Sequence, residues 1–293
     1  MGWPVRVVDV TGSTNADLVA AARAGERGPR VLAARSQTAG RGRLGRGWQS
    51  APGASLSLSV LVHPGVPQAG WTWLPGVVGL GVLDGLGVLG APLGRSAGAV
   101  ALKWPNDVVL IDGPAGDGVP EPSPGGPPSP VGGARTGLAK LAGILAEAVA
   151  GPTGPAVVLG VGLNLTDPEL DPELDRDLDP ELDRGAGPTG ARATSLVRVL
   201  GRAAGFDEVL PVLVSALQAR LGRWEAGGGD AVAVGVVEDY RRVCTTLGRR
   251  VRASTPAGVR EGTAVDLDPD GSLVVQGPDG PVRVSAGDVE HLR

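Results

Sequence analysis

Polar and apolar residues alternate along Ser55-Leu56-Ser57-Leu58-Ser59-Val60-Leu61-Val62. A period of two predicts a half-buried strand, with the leucines in the core and the serines turned outward. Shorter apolar runs predict strands at 5–10, 30–36, 99–104, 108–111, 139–149 and 156–163. The run Leu141-Ala142-Gly143-Ile144-Leu145-Ala146-Glu147 would also suit a helix, and its apolar spacing does not choose between the two. Helices are predicted over about 15–24, 71–89, 195–204 and 207–225. Thr14 and Asp17 stand at capping-box spacing for the first of these, and Gly25 suits its end.

From Leu247 onward the pattern changes to short strands at 249–254, 262–266, 273–276 and 282–284, separated by turns such as Asp268-Pro269-Asp270-Gly271. This predicts a small β-barrel-like module. Two segments carry no periodic pattern. Residues 112–137 are dominated by Gly and Pro, and 167–183 repeat Asp-Pro-Glu-Leu every four residues, with prolines that break a continuous helix. Both read as inserted loops. The acidic repeat has no calcium-loop glycine and reads as a solvated surface segment.

Composition sharpens this picture. Gly and Pro make up 75 of 293 residues, and 25 Arg stand against two Lys and three Asn. Such a bias makes the surviving Lys103, Lys140, Asn15, Asn106 and Asn164 informative positions. One cysteine excludes a disulfide framework and a cysteine zinc site, and two distant histidines argue against a histidine metal centre; no protein-held metal is expected. The net charge of −4 comes from residues 167–184, which contribute −7 and leave +3 elsewhere. A nucleic-acid binder is not expected. No targeting signal is evident, and the apolar stretch 74–93 contains Pro75, Asp84 and six Gly, so it reads as a buried helix and no membrane contact is expected. A cytoplasmic protein is the expectation.

The strongest local feature is Gly40-Arg41-Gly42-Arg43-Leu44-Gly45-Arg46-Gly47-Trp48. Glycine lets the backbone approach a ligand, arginine forks grip phosphate or carboxylate, and an indole can stack on a base. A basic solvated turn is the plainer alternative, but so dense a cluster of charge calls for an anion. Gly40-x-Gly42-x-x-Gly45 and Gly85-x-Gly87-x-x-Gly90 match the dinucleotide fingerprint, yet neither follows a strand and opens a helix, so both are rejected. Lys103-Trp104-Pro105-Asn106-Asp107 ends an apolar run, which suits a fixed cation at a pocket mouth; a surface lysine beside Trp104 is the alternative. Taken singly, Ser13-Thr14-Asn15 is explained by capping, and Gly143 or Gly162 by strand packing.

Taken together, these motifs resemble the biotin–protein ligases in order and spacing over nearly the whole chain. The resemblance rests on Ser13-Thr14-Asn15, Gln37 with the Gly-Arg run, Lys103-Trp104-Pro105-Asn106-Asp107, Lys140-Leu141-Ala142-Gly143-Ile144-Leu145 and Gly160-x-Gly162-x-Asn164. It implies an α+β catalytic domain over 1–240, a mixed β-sheet backed by helices. Flexible insertions at about 112–137 and 167–190 would interrupt it, and an SH3-like β-barrel would follow over 245–293. It also implies a two-step reaction in which ATP and biotin, with Mg²⁺, form biotinyl-5′-AMP. The biotinyl group then passes to a lysine of a biotin carboxyl carrier domain.

Carried over by position, Lys103, Arg41 and Arg43 would be catalytic. Ser13, Thr14, Asn15, Gln37, Gly40, Gly42, Gly143 and Gly162 would join those three around biotin. Arg43, Arg46, Trp48, Asn106, Lys140 and Asn164 would serve the nucleotide. Some relatives carry an N-terminal DNA-binding domain; with the first catalytic strand at residue 5, none is expected and DNA is not an expected partner. A homodimer is left open. The enzymatic rival is a lipoate or octanoate ligase or transferase of the same fold. The non-enzymatic rival is a biotin or adenylate sensor.

Overall fold

A computed structural model of the chain describes residues 2–48, 51–112, 137–167, 192–255, 258–285 and 287–292. The Gly/Pro-rich insertion between Asp112 and Gly137 and the acidic repeat after Asp167 lie outside the described residues. The chain divides into two units, Met1–His63 with Leu138–Pro211, and Pro64–Gly137 with Val212–Arg293.

The first unit is built on a mixed sheet. β1 (Val5–Thr11) runs parallel to β2 (Arg30–Gln37), β2 antiparallel to β5 (Ser55–Val62), β5 antiparallel to β9 (Gly154–Asn164), and β9 antiparallel to β8 (Gly137–Gly151). A short β10 (Arg192–Ala193) lies parallel to β8. The run that propensity left between helix and strand is therefore a strand, paired from Ala142↔Leu163 to Gly151↔Gly154 around a Pro152-Thr153 turn. Gly154 takes φ 103°, which a tight hairpin turn requires. Separately, β3 (Gly40–Arg41) and β4 (Gly47–Trp48) form a two-stranded hairpin.

α1 (Thr14–Arg23) packs Leu18, Val19 and Ala22 on Leu32, Leu61, Val149, Ala156 and Val158 of this sheet. Its cap differs from the expectation. Ser13, with extended backbone, accepts from the Ala16 N–H, while Asp17 accepts from Thr11 Oγ1 at 2.5 Å instead of closing a box with Thr14. The β5 expectation is also corrected: Ser55, Ser57 and Ser59 are as buried as the leucines between them. Alternation reports side-chain polarity, whereas burial depends on what covers each face. The helix predicted over 195–204 shortens to α3 (Leu196–Leu200), because Gly201 turns left-handed at φ 66° and ends it. α4 (Phe206–Ala226) passes through the division between units.

In the second unit a 3₁₀ turn (Gln68–Trp73) leads into α2 (Leu74–Val88). The segment Gln68–Val88 is long and apolar enough to cross a bilayer, but 67% of its most apolar window is buried in the protein. Its glycines explain the packing: a Cβ at Gly81 or Gly85 would come within 2.9 or 2.8 Å of Leu217 or Leu213 on α4. β6 (Val100–Lys103) and β7 (Asp107–Asp112) form an antiparallel pair. α5 (Val236–Val243) was not anticipated. Its eight residues bury only Val236, Val237 and Tyr240, too short a stripe to stand out. Its Asp239 shares Arg220 of α4 with Asp84 of α2, which ties three helices through one guanidinium.

The chain closes in a five-stranded antiparallel sheet ordered β14-β13-β12-β11-β15. These strands are β11 (Arg250–Thr255), β12 (Gly258–Leu267), β13 (Leu273–Gly277), β14 (Gly280–Val284) and β15 (Asp288–His291). This is the small β-barrel-like module expected from the turn spacing, and it fits the SH3-like domain that the resemblance implies, with β15 added at its edge.

Candidate active site

Glycines and serines meet in register on one face of the first unit's sheet. Ser57 and Gly143 both stand opposite Gly162, while Ser59 and Leu145 both stand opposite Gly160. Alternate residues share a face, so these positions form a floor of mostly small side chains. What occupies the space above it is now defined. A Cβ on Gly160 would lie 2.2 Å from Asn15 Oδ1, one on Gly162 2.5 Å from the Trp48 ring, and one on Gly143 3.2 Å from that ring. Glycine is required at Gly160 and Gly162 because other side chains of the same unit rest directly on the backbone.

Beside this floor, the first turn of α1 presents a buried polar chain. Ser13, Thr14 and Asn15 are each no more than 4% exposed. Gln37 Oε1 accepts from the Thr14 N–H at 2.8 Å and from Thr14 Oγ1 at 3.1 Å. Ser59 Oγ lies 2.7 Å from Thr14 Oγ1 and 2.6 Å from Asn15 Oδ1, so its single proton is shared between two acceptors. Asn15 Nδ2 donates to Glu147 Oε2 at 2.8 Å, and Arg41 Nη2 reaches the same oxygen at 3.3 Å. The chain thus runs from Gln37 through Thr14, Ser59, Asn15 and Glu147 to the first arginine of the Gly-Arg run.

That run is a hairpin. Gly42 N–H donates to Arg46 O at 2.7 Å, and Arg46 N–H to Arg43 O at 3.2 Å. At the tip Leu44 and Gly45 take φ 57° and 77°, and Leu44 is 70% exposed. A non-glycine residue held left-handed with its apolar side chain in solvent marks a strained turn. At the root, a Cβ on Gly40 would strike Trp48 O at 2.3 Å. The Trp48 indole lies over the glycine floor with Lys140 Nζ 5.9 Å from its ring centre. Its Nε1–H is buried and finds no acceptor among the described residues. Asn164 is used structurally: its Nδ2 donates to Thr194 O at 3.0 Å and Lys140 O at 3.4 Å, which ties β9 to β8 and to the residue just after β10.

Lys103 and Asn106 belong to the second unit. Lys103 closes β6 opposite Asp107 and is only 4% exposed, so the surface-lysine alternative is excluded. Asn106 lies in the turn that follows. Trp104 is held at both ends: its N–H donates to Thr246 Oγ1 at 3.0 Å and its Nε1–H to Gly271 O at 3.1 Å. His291 Nε2 lies 3.2 Å from the same Thr246 hydroxyl. Burial, reinforced by the charges of Lys103 and Arg249, holds the His291 imidazole well below its ordinary range. This stretch therefore sets the positive charges of Lys103 and Arg249 close to a buried imidazole, in a dry setting where an added anion is felt strongly.

Residues 8–164 match the family described as biotin/lipoate A/B protein ligase, and residues 246–292 match the biotin protein ligase C-terminal domain. A biotin–[acetyl-CoA-carboxylase] ligase of Mycobacterium tuberculosis is 39% identical over all of this chain and 91% of its own length. The chain belongs to the biotin/lipoate A/B protein ligase family. A similarly named ligase of Paracoccus denitrificans is 29% identical over 95% of this chain and 97% of its own length. Among solved structures, the biotin protein ligase of Aquifex aeolicus in complex with biotin and ATP shares the fold. It has a TM-score of 0.69 and 22% identity, over 99% of both chains.

For a member of this ligase family, the first unit gathers Ser13, Thr14, Asn15, Gln37, Gly40, Arg41, Gly42, Trp48, Lys140, Gly143 and Gly162 around one sheet face and its hairpin. Arg43 and Arg46 sit in the turn of that hairpin. Three participants escaped the sequence reading: Ser59, Glu147 and, as the seat of Asn15, Gly160. The signal for Glu147 was its even spacing from Gly143, which places both on one face of a strand. That spacing shares a face in a helix as well as in a strand, so only the strand pairing shows which residues the face meets.

Proposed function

We propose that this protein is an ATP-dependent biotin–protein ligase, with the observation of 39% identity to a named biotin–[acetyl-CoA-carboxylase] ligase across the whole chain carrying the reading. In the first step a biotin carboxylate oxygen attacks the ATP α-phosphorus and pyrophosphate leaves, giving biotinyl-5′-AMP. In the second, the amine of a carrier-domain lysine attacks the acyl carbon and AMP leaves. Two anions must meet in the first step, and fixed cations in a water-poor setting lower that barrier. Lys103, Arg41 and Arg43 are assigned this task. The polar chain of Ser13, Thr14, Asn15 and Gln37 is assigned to biotin, with Gly40, Gly42, Gly143 and Gly162 giving the backbone access. Arg43, Arg46, Trp48, Asn106, Lys140 and Asn164 are assigned to the nucleotide.

Among the described residues no group of three or more His, Cys, Asp and Glu side chains is placed to hold a metal. Mg²⁺, implied by the family resemblance, is assigned as part of the ATP substrate, bound to its phosphates. The partner is the carrier domain of a biotin-dependent carboxylase, in the cytoplasm. The organisation into a catalytic domain over 1–240 and a small domain over 245–293 belongs to this proposal, supported by the two family matches.

Pyrophosphate exchange with biotin, lipoate and octanoate tests the reading, for the wild type and Lys103→Ala. Biotin-dependent exchange that Lys103→Ala abolishes is expected. Exchange with lipoate but not biotin would reassign the substrate, and no exchange with any acid would favour a sensor.

A further inference from the structure

Glu147 lies outside every motif that carried the family resemblance, yet its carboxylate receives both Asn15 Nδ2, at 2.8 Å, and Arg41 Nη2, at 3.3 Å. We propose that Glu147 is a positioning residue for biotin, acting through Asn15; the inference rests on the ligase reading above. A carboxylate only accepts hydrogen bonds, so its presence dictates which end of the Asn15 amide faces it. Nδ2 turns to Glu147, and Oδ1 turns to Ser59 Oγ, 2.6 Å away. Gly160 completes the lock from below, since a Cβ there would lie 2.2 Å from Oδ1. The amide therefore has one orientation, and the polar surface it shows a ligand is set before the ligand arrives.

Of the two partners, Asn15 dominates. Asn15 is 4% exposed, whereas the Arg41 side chain is 44% exposed and its pair with Glu147 is screened by solvent. Losing the carboxylate should thus be felt in biotin binding more than in the Gly-Arg hairpin. The substitution that separates these effects is Glu147→Gln, because a glutamine carbonyl still accepts from Asn15 Nδ2 while the charge that pairs with Arg41 is gone. Glu147→Asp keeps the charge but withdraws it by one methylene from both partners.

Biotin-dependent pyrophosphate exchange gives KM for biotin and for ATP separately. Glu147→Ala is expected to raise the biotin KM about tenfold, the loss of one charge-assisted hydrogen bond, and to leave the ATP KM within about twofold. Glu147→Gln should return the biotin KM to within about threefold of wild type, and Glu147→Asp should not. Because Glu147 acts through Asn15, the Asn15→Ala/Glu147→Ala pair should bind biotin no worse than Asn15→Ala alone.

Multiplying effects in that cycle, equal changes in both KM values, or a Glu147→Gln as impaired as Glu147→Asp would overturn the inference. If Glu147→Ala fails to fold, the contrast between Gln and Asp decides by itself. A wild type without biotin-dependent exchange would remove the ligase reading and this inference together. An active wild type with Glu147→Ala indistinguishable from it would remove this inference alone.

Discussion

Replacing Gly160 by alanine adds one methyl group at the point where the site is tightest. The new Cβ would stand 2.2 Å from Asn15 Oδ1 and 2.9 Å from its Cγ, well inside contact distance. Two responses are open. If Asn15 holds its place, strand β9 must give way, and overpacking of this kind costs about 1–3 kcal/mol. If Asn15 swings out, it abandons Ser59 at 2.6 Å and Glu147 at 2.8 Å. Those two bonds are worth together about 2–4 kcal/mol, the larger share with the charged acceptor. The cheaper response sets the loss at about 2 kcal/mol, a fall in Tm of about 4–8 °C for a chain of this size.

Gly162→Ala makes a nearly equal collision, 2.5 Å from the Trp48 ring. That indole has no partner at Nε1 among the described residues and belongs to a short hairpin, so it can move for about 1 kcal/mol of lost burial. Gly143→Ala meets its neighbours at 3.2 Å and beyond, one of them the flexible end of Lys140, and should be nearly silent. The order of thermal destabilisation is therefore Gly160, then Gly162, then Gly143. Calorimetric titration with biotin should show Gly160→Ala binding at least about tenfold more weakly, since Asn15 is displaced or strained. A Gly160→Ala protein that melts within about 2 °C of wild type and binds biotin equally would refute the seat assigned to Asn15.

Three further outcomes are expected. Trp48→Phe removes a buried N–H that has no acceptor among the described residues, whose burial costs about 1–3 kcal/mol, so the melting temperature should hold or rise; a clear fall would show that the indole has a partner. His291 sits below its ordinary pKa of 6.5 because it is buried beside Lys103 and Arg249. The unfolded chain therefore takes up a proton there that the folded chain refuses, and stability falls as pH drops through that value. His291→Gln should flatten this part of a stability profile measured between about pH 7 and pH 5, and an unchanged slope would contradict the assignment. Deleting 168–184 while keeping Asp167, which accepts from Ser195 and Arg198, should leave pyrophosphate exchange within about twofold of wild type. A larger loss would give the acidic repeat a function.

Apolar patterning located β1, β2, β5 and β9 of the first sheet, left β8 open between strand and helix, and missed β10 and the separate hairpin strands; turn chemistry located four of the five strands in the terminal module. It failed where a local pattern is too short or points two ways. α5 buries three residues in eight, and the 139–149 run has a spacing that both periods accept. Motif order was enough to nominate Asn15, Lys103 and the Gly-Arg hairpin. It gave no reason for Glu147, whose partners lie 132 and 106 residues away in the chain.

What the sequence alone determined is the set of chemical groups: a few lysines and asparagines retained against a strong compositional bias, and glycines placed among strand residues. Tertiary structure decided what those glycines are for. Cross-strand register set Gly143 opposite Gly162 and brought Gly160 beside Ser59, and only then did α1 and the hairpin bring Asn15 and Trp48 down onto them. A missing side chain is visible in a sequence. The group that fills its space comes from a distant part of the chain, and pairing and packing choose it.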